Sequence, residues 1–190
     1  IVLYLFKLYA MKNKRPRINN KITIVDVEAY TENAGSKNAR KLIDINYNIV
    51  TEIWIDKHYS IREQHGDNLG KREGISREVV EILVKKSFLH LKYYNLKHSN
   101  FKFVNFPPSG IRNIRIVLKD EFKNEDTLNV VVEYHFIDLS LYEVTVFTAM
   151  CKNDFYLSDG QYAIVFENNF SRLVLMQNKN EKIIDEFNFN

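Results

Sequence analysis

A single cysteine, Cys151, is all that the 190-residue chain contains. That excludes an intramolecular disulfide framework and any zinc centre built on cysteines, and it suits a reducing compartment. No histidine lies near it in sequence, so the thiol reads as a buried structural group rather than a nucleophile. Proline (3) and glycine (6) are also scarce, which excludes a linker-like or low-complexity chain. Long hydrophobic runs are missing. Residues 1–10 (IVLYLFKLYA) are apolar with one lysine, far short of the roughly 20 residues that span a bilayer. The basic run at residues 12–17 follows that stretch instead of preceding it, unlike a secretory signal, and a short helix or strand docked on the core, with a truncated membrane or partner-binding segment as the alternative, is the expectation there. A strong charge of one sign is absent too, the net charge being +3.

What is present is enough apolar side chain, 45% of residues, for one domain with a real core. The charge is uneven. Residues 71–102 carry eight Lys/Arg against three Glu, and residues 119–138 carry two Lys against six Asp/Glu. One face is therefore expected to be basic, or the basic segment is simply a solvated helix face.

In chain order, residues 21–29 alternate as a strand, residues 31–40 read as a loop around Gly35, and residues 41–55 show Leu42, Ile45, Ile49 and Ile53 at helical spacing in their first part. Residues 56–67 form a polar cluster in which His58, Arg62 and His65 stand at i, i+4 and i+7, on one face if the segment is helical. After a glycine-containing loop, Ser76 is placed to cap a helix from Arg77 to about Lys97. Its apolar stripe is Val80, Leu83, Val84, Ser87, Phe88 and Leu91, widened by Val79, Ile82 and Leu89. A turn at residues 107–110 follows. Strands are expected near 114–120, 127–137, 142–150, 161–167 and 171–177, joined by short turns that imply antiparallel neighbours, with a loosely held tail at 178–190. The expected fold class is α+β, with N-terminal helical elements packed on one face of a mainly antiparallel meander sheet.

Imidazole and guanidinium side by side are the groups that cleave a phosphodiester without a metal. A base takes the ribose 2′-OH proton, an acid protonates the leaving oxygen, and a fixed cation stabilises the phosphorane. The same spacing also fits an exposed polar helix that carries histidines. A zinc site on His58 and His65 finds no further ligand at a recognisable spacing.

The pattern Lys57-His58-x3-Arg62, a following Ile/Val-spaced helix, two long strands and a final Val144-x-Val146-x-Thr148-Ala149 strand resembles the Barnase–EndoU–colicin–RelE superfamily, most of all its small phage and polymorphic-toxin members. The resemblance covers residues 54–150 and divides the chain into an extension (1–50), a core (51–151) and a C-terminal hairpin with tail (152–190). It implies a metal-independent ribonuclease with no cofactor. In it His58 is general base or acid, Arg62 the phosphate-binding cation, Thr148 a phosphate hydrogen-bond donor and Lys57 an auxiliary cation. His65 joins the candidate catalytic set by its spacing, and Lys71 and Arg72 join Lys57 as expected substrate-binding cations. The implied partners are RNA and an inhibitor (immunity) protein or phage assembly partner, with no membrane span. The implied location is the cytoplasm of a bacterial host or a phage particle. His65 and the two extensions depart from the family pattern, so a non-catalytic binding or assembly protein on the same fold is the competing expectation.

Overall fold

The structure, a computed structural model, describes residues 30–46, 50–66, 73–106, 113–122, 126–168 and 170–188. The expected elements at 1–10 and 21–29 and the turn at 107–110 lie outside them. Among the described residues the chain forms, in order, β1 (Ala39–Asn46), β2 (Val50–Asp56), α1 (Lys57–His65), α2 (Arg77–Lys97), β3 (Val104–Asn105), β4 (Ile116–Glu121), β5 (Thr127–Asp138), β6 (Leu141–Cys151), β7 (Tyr162–Glu167), β8 (Phe170–Gln177) and β9 (Asn180–Asn188).

All nine strands join one sheet in the order β1-β2-β6-β5-β4-β7-β8-β9, with β3 pairing β5 off that path. This corrects the expected fold class. The sheet is mixed, not a meander behind leading helices: β2 runs parallel to β6, β4 to β7, and β3 to β5. The reason is the connections. The two helices carry the chain from β2 across to the β3–β6 region, and residues 152–161 carry it from β6 past β5 and β4 to β7, so none of the three parallel pairs is joined by a hairpin. Hairpins still link β4 to β5, β5 to β6, β7 to β8 and β8 to β9.

Two local expectations also change. Residues 41–46, where a helix is expected, are strand, as are residues 50–55, and β1 and β2 pair antiparallel. Ile43, Ile45, Thr51, Ile53 and Ile55 are β-branched and recur with period two, which favours a pleated strand over a helix that would restrict their χ1 angles. The tail is not loose, because β9 pairs along β8 from Asn180 to Asn188.

The main core lies between α2 and one face of the sheet. Val80, Leu83, Val84, Leu91 and Tyr94 of the helix meet Ile53, Ile55, Ile116, Leu118, Val130, Val132, Val144, Val146 and Ile164. Of the expected stripe, Ile82 and Leu89 are 66% and 47% exposed and Phe88 is only half-buried. His90, which the apolar pattern passes over, is buried in their stead. It sits edge-on to Phe166 and Phe187, with Nδ1 2.8 Å from Ser171 Oγ. The opposite face of the sheet carries a smaller apolar cluster, Val117, Val131, Leu157, Ala163 and Met176, with Phe155 against it. The crossover 152–161 supplies two of these residues. Beside that cluster this second face is polar. Among the described residues no helix is long and apolar enough to cross a membrane.

Candidate functional site

Helix α1 leaves the end of β2 directly. Asp56 caps it, its carboxylate accepting from His58 N at 2.8 Å, and Gly66 closes it at φ 69° with its N–H on Arg62 O. Tyr59 fixes its orientation. The ring is buried, and its hydroxyl donates to Ile75 O at 2.9 Å. Burial raises the phenol well above its ordinary range, with the Glu63 charge adding to the shift. Glu63 locks the far end. Its two carboxylate oxygens accept from Arg77 Nε and Nη2, both at 3.0 Å, and one also accepts from Arg77 N. The Glu63 hydrogen bond is the main reason the Arg77 guanidinium is held even more firmly charged than usual. Gly74 makes this contact possible, since a Cβ there would lie 2.1 Å from Glu63 O.

The remainder of the site comes from a β-bulge in β6. Val131 pairs with Thr148 while its neighbour Val132 pairs with Val146, leaving Phe147 as the extra residue. Val144 and Val146 face the helical core before the bulge, and Ala149 and Cys151 face it afterwards. Phe147 and Thr148 therefore both point to the second face. Arg62 reaches that face from α1, and its Nη1 donates to Thr148 Oγ1 at 2.9 Å. The pair joins residues 86 apart in sequence.

Next to Phe147 lies a second guanidinium. Arg115 Cζ stands 4.4 Å from the centre of the Phe147 ring, and its Nε donates to Glu133 Oε1 at 2.7 Å. Glu133 is 1% exposed. Its other oxygen accepts from Asn113 Nδ2 at 3.1 Å and lies 3.1 Å from His135 Nε2. Burial works to raise the Glu133 carboxyl, but the hydrogen bonds from His135, Arg115 and Asn113 outweigh it and hold the group below its ordinary range. Glu133 and His135 are two apart on β5 and so share a face. Thr145 and Glu143 stand opposite them on β6.

A strap, residues 33–38, lies over this patch. Asn33 Nδ2 donates to Thr145 Oγ1, and Ala34 N to Glu143 Oε2 at 2.9 Å. Ser36 Oγ donates to Asp56, the cap of α1, and Asn38 O accepts from Lys57 N at 2.8 Å. Gly35 is the point of closest approach. A Cβ there would stand 3.0 Å from Thr145 Oγ1, 3.2 Å from His135 Nε2 and 3.3 Å from Glu133 Oε2. The strap thus connects the Glu133–His135 pair to the N-terminus of α1.

Of the residues expected from sequence, the fold brings Arg62 and Thr148 into direct contact. His58 and His65 sit on α1 on either side of Arg62, exposed, and among the described residues their imidazoles have no hydrogen-bond partner. Lys57 is exposed at the start of the helix. Lys71 and Arg72 lie outside the described residues. Sequence reasoning missed Arg115, Glu133 and His135. Their signal was a carboxylate and an imidazole at i, i+2 inside an otherwise apolar strand, which is costly to bury without a purpose. Among the described residues, no three His, Cys, Asp or Glu side chains are grouped so as to hold a metal ion.

Chemically, the face presents two guanidiniums flanking consecutive residues of one strand and a hydroxyl between them, beside a buried carboxylate whose oxygens are taken up by Arg115, Asn113 and His135. That set can grip an anion. Compared with known proteins, the chain matches no family model, no curated protein and no solved structure.

Proposed function

We propose that this protein is a metal-independent ribonuclease that acts at the junction of α1 and the β6 bulge. The observation that carries the reading is the Arg62–Thr148 hydrogen bond. Two residues singled out as phosphate ligands, far apart in sequence, meet on a polar face that the bulge creates. In the reaction the ribose 2′-oxygen attacks phosphorus, the P–O5′ bond breaks, and a 2′,3′-cyclic phosphate and a free 5′-hydroxyl remain. One side chain takes the 2′-OH proton and another returns a proton to O5′. His58, one helical turn from Arg62, fills one of these roles, and His65, on the same helix face, is placed for the other. Arg62 and Thr148 hold the phosphate oxygens, and Arg115 adds a second cation as charge builds on the phosphorane. The likeness of residues 54–150 to the Barnase–EndoU–colicin–RelE pattern supports the same reading.

The test is incubation of purified protein with total RNA in EDTA, with product ends identified. Cleavage leaving cyclic phosphate is expected. His58→Ala should lower the rate by about 10²–10⁴-fold with RNA binding nearly intact, and Arg62→Ala should weaken both binding and rate. Cleavage of a 2′-deoxy substrate, or cleavage abolished by EDTA, would refute the mechanism.

A second reading rests on the strap. With Asn33, Ala34 and Gly35 seated on Thr145, Glu143 and the Glu133–His135 pair, the buried half of the face is closed, which favours a binding protein that holds an anion without cleaving it. Intact RNA retained by well-folded protein, with retention lost in Arg62→Ala, decides for that reading.

A further inference from the structure

Away from the polar face, the structure holds a groove of 320 Å³ lined by residues of α2, β3 and the head of β6. Its walls are aromatic. Phe88 stands edge-on to Phe103 at 6.5 Å and to Tyr142 at 6.3 Å, and Phe106 leans on Phe136 at 5.2 Å. Its rim is apolar and open to water, with Leu96 86% and Phe106 59% exposed. Apolar groups in this number, gathered round a concavity at the lower end of the size range of ligand sites, mark a binding surface rather than scattered surface hydrophobes.

The polar groups of the groove are few and mostly of one sign. Lys92 and Lys102 both line it and both are exposed. Lys92 Nζ lies 5.7 Å from the centre of the Phe88 ring, and neither ammonium has a carboxylate partner among the described residues. Other cations of α2 are paired: Lys85 with Glu81, Lys86 with Asp120 and Lys97 with Asp185. Of the remaining polar side chains, Asn95 spends its amide on Phe101 O at 2.7 Å and Tyr142 adds a single hydroxyl. A polypeptide laid in the groove would bring amide N–H and C=O groups for which the lining has few partners, and burying them unpaired is costly. An alkyl or aryl body has no such groups. Its acidic head would meet the two ammoniums at the mouth.

We propose that this groove binds a small amphiphilic carboxylate, an apolar body under a single acidic head. The apolar body is held by Phe88, Phe103, Phe106 and Tyr142, and the head is held between Lys92 and Lys102.

Decanoate is a suitable probe, titrated calorimetrically into the whole chain below its micellar concentration, with decylamine as the cation of equal length. Saturable binding of decanoate at one site is expected, with decylamine at least 5-fold weaker. The double variant Lys92→Gln/Lys102→Gln, whose changes lie on exposed side chains and should leave the melting temperature unmoved, should weaken decanoate by about 5- to 10-fold, the scale of two exposed charge pairs. Phe106→Ser should weaken both probes alike. The proposal is overturned if decanoate shows no saturable binding, if decylamine binds as well, or if the double variant binds decanoate unchanged. None of these results depends on cleavage of RNA.

Discussion

Lowering the pH should unfold this protein partly through one buried imidazole. His90 is 4% exposed on the inner face of α2, wedged between the edges of Phe166 and Phe187 at 5.0 and 5.3 Å, with Nδ1 2.8 Å from Ser171 Oγ. Burial, aided by the charge of Lys86, pushes its pKa down to about 4 from 6.5. The native state therefore holds His90 neutral, while the unfolded chain takes up a proton below about 6.5. The stabilisation is fully present above that pH and is lost as pH falls from about 6.5 to about 4. A gap of this size is worth at most about 3 kcal/mol, and about 2 once residual solvent screening at the ring is allowed for. The control is His90→Leu, which cannot titrate. It keeps Ser171 Oγ satisfied, because Tyr94 OH lies 2.8 Å from the same oxygen. Urea melts of both proteins from pH 7 to pH 4 read the effect. Carboxylates held below their ordinary range, Glu133 and Asp185 among them, act alike in both proteins and cancel in the difference. The native protein should lose about 2 kcal/mol more than the variant across the window. Parallel stability curves would refute the reasoning, and a gap that opened above pH 7 would give it the wrong sign.

Gly74→Ala should destabilise by more than about 2 kcal/mol, because its Cβ would meet backbone at Glu63 O 2.1 Å away. Gly160→Ala should cost about 1–2 kcal/mol through its φ of +80° alone, with nothing within 4 Å, and equal melting temperatures for the two would contradict the close approach of residue 74 to the end of α1. Leu91→Ala, at 0% exposure, should cost about 2–5 kcal/mol, and Ile82→Ala, at 66%, less than about 1, as read by chemical denaturation. Thr148→Val should lower RNA affinity or cleavage about 10-fold with stability nearly unchanged, since it removes one hydroxyl that Arg62 holds in place; unchanged activity would detach β6 from the site.

The sequence by itself determined the elements whose signal is local. The helix Arg77–Lys97 and the strands β4 to β8 begin and end within two residues of where the periodicity and turn residues place them, because period 3.6 and period 2 are written in neighbouring side chains. The segment carrying His58 and Arg62, whose shared face held only on the condition of a helix, is helix α1, with Asp56 as its cap. Where two periods competed, at the start of residues 41–55, local reading took the helix, and the pairing of β1 with β2 and of β2 with β6 makes residues 41–46 and 50–55 strand. Only the tertiary structure decided which strands pair in parallel, since pairs such as β4 and β7 are joined through residues far apart and no short turn announces them. It alone placed the polar face as well. Alternation carried forward from Tyr142 sets Thr148 with Val144 and Val146 against the core, and a single extra residue, Phe147, turns it to the side of Arg62, Arg115, Glu133 and His135. A bulge is a property of two paired strands in register, so one strand read alone has no way to express it.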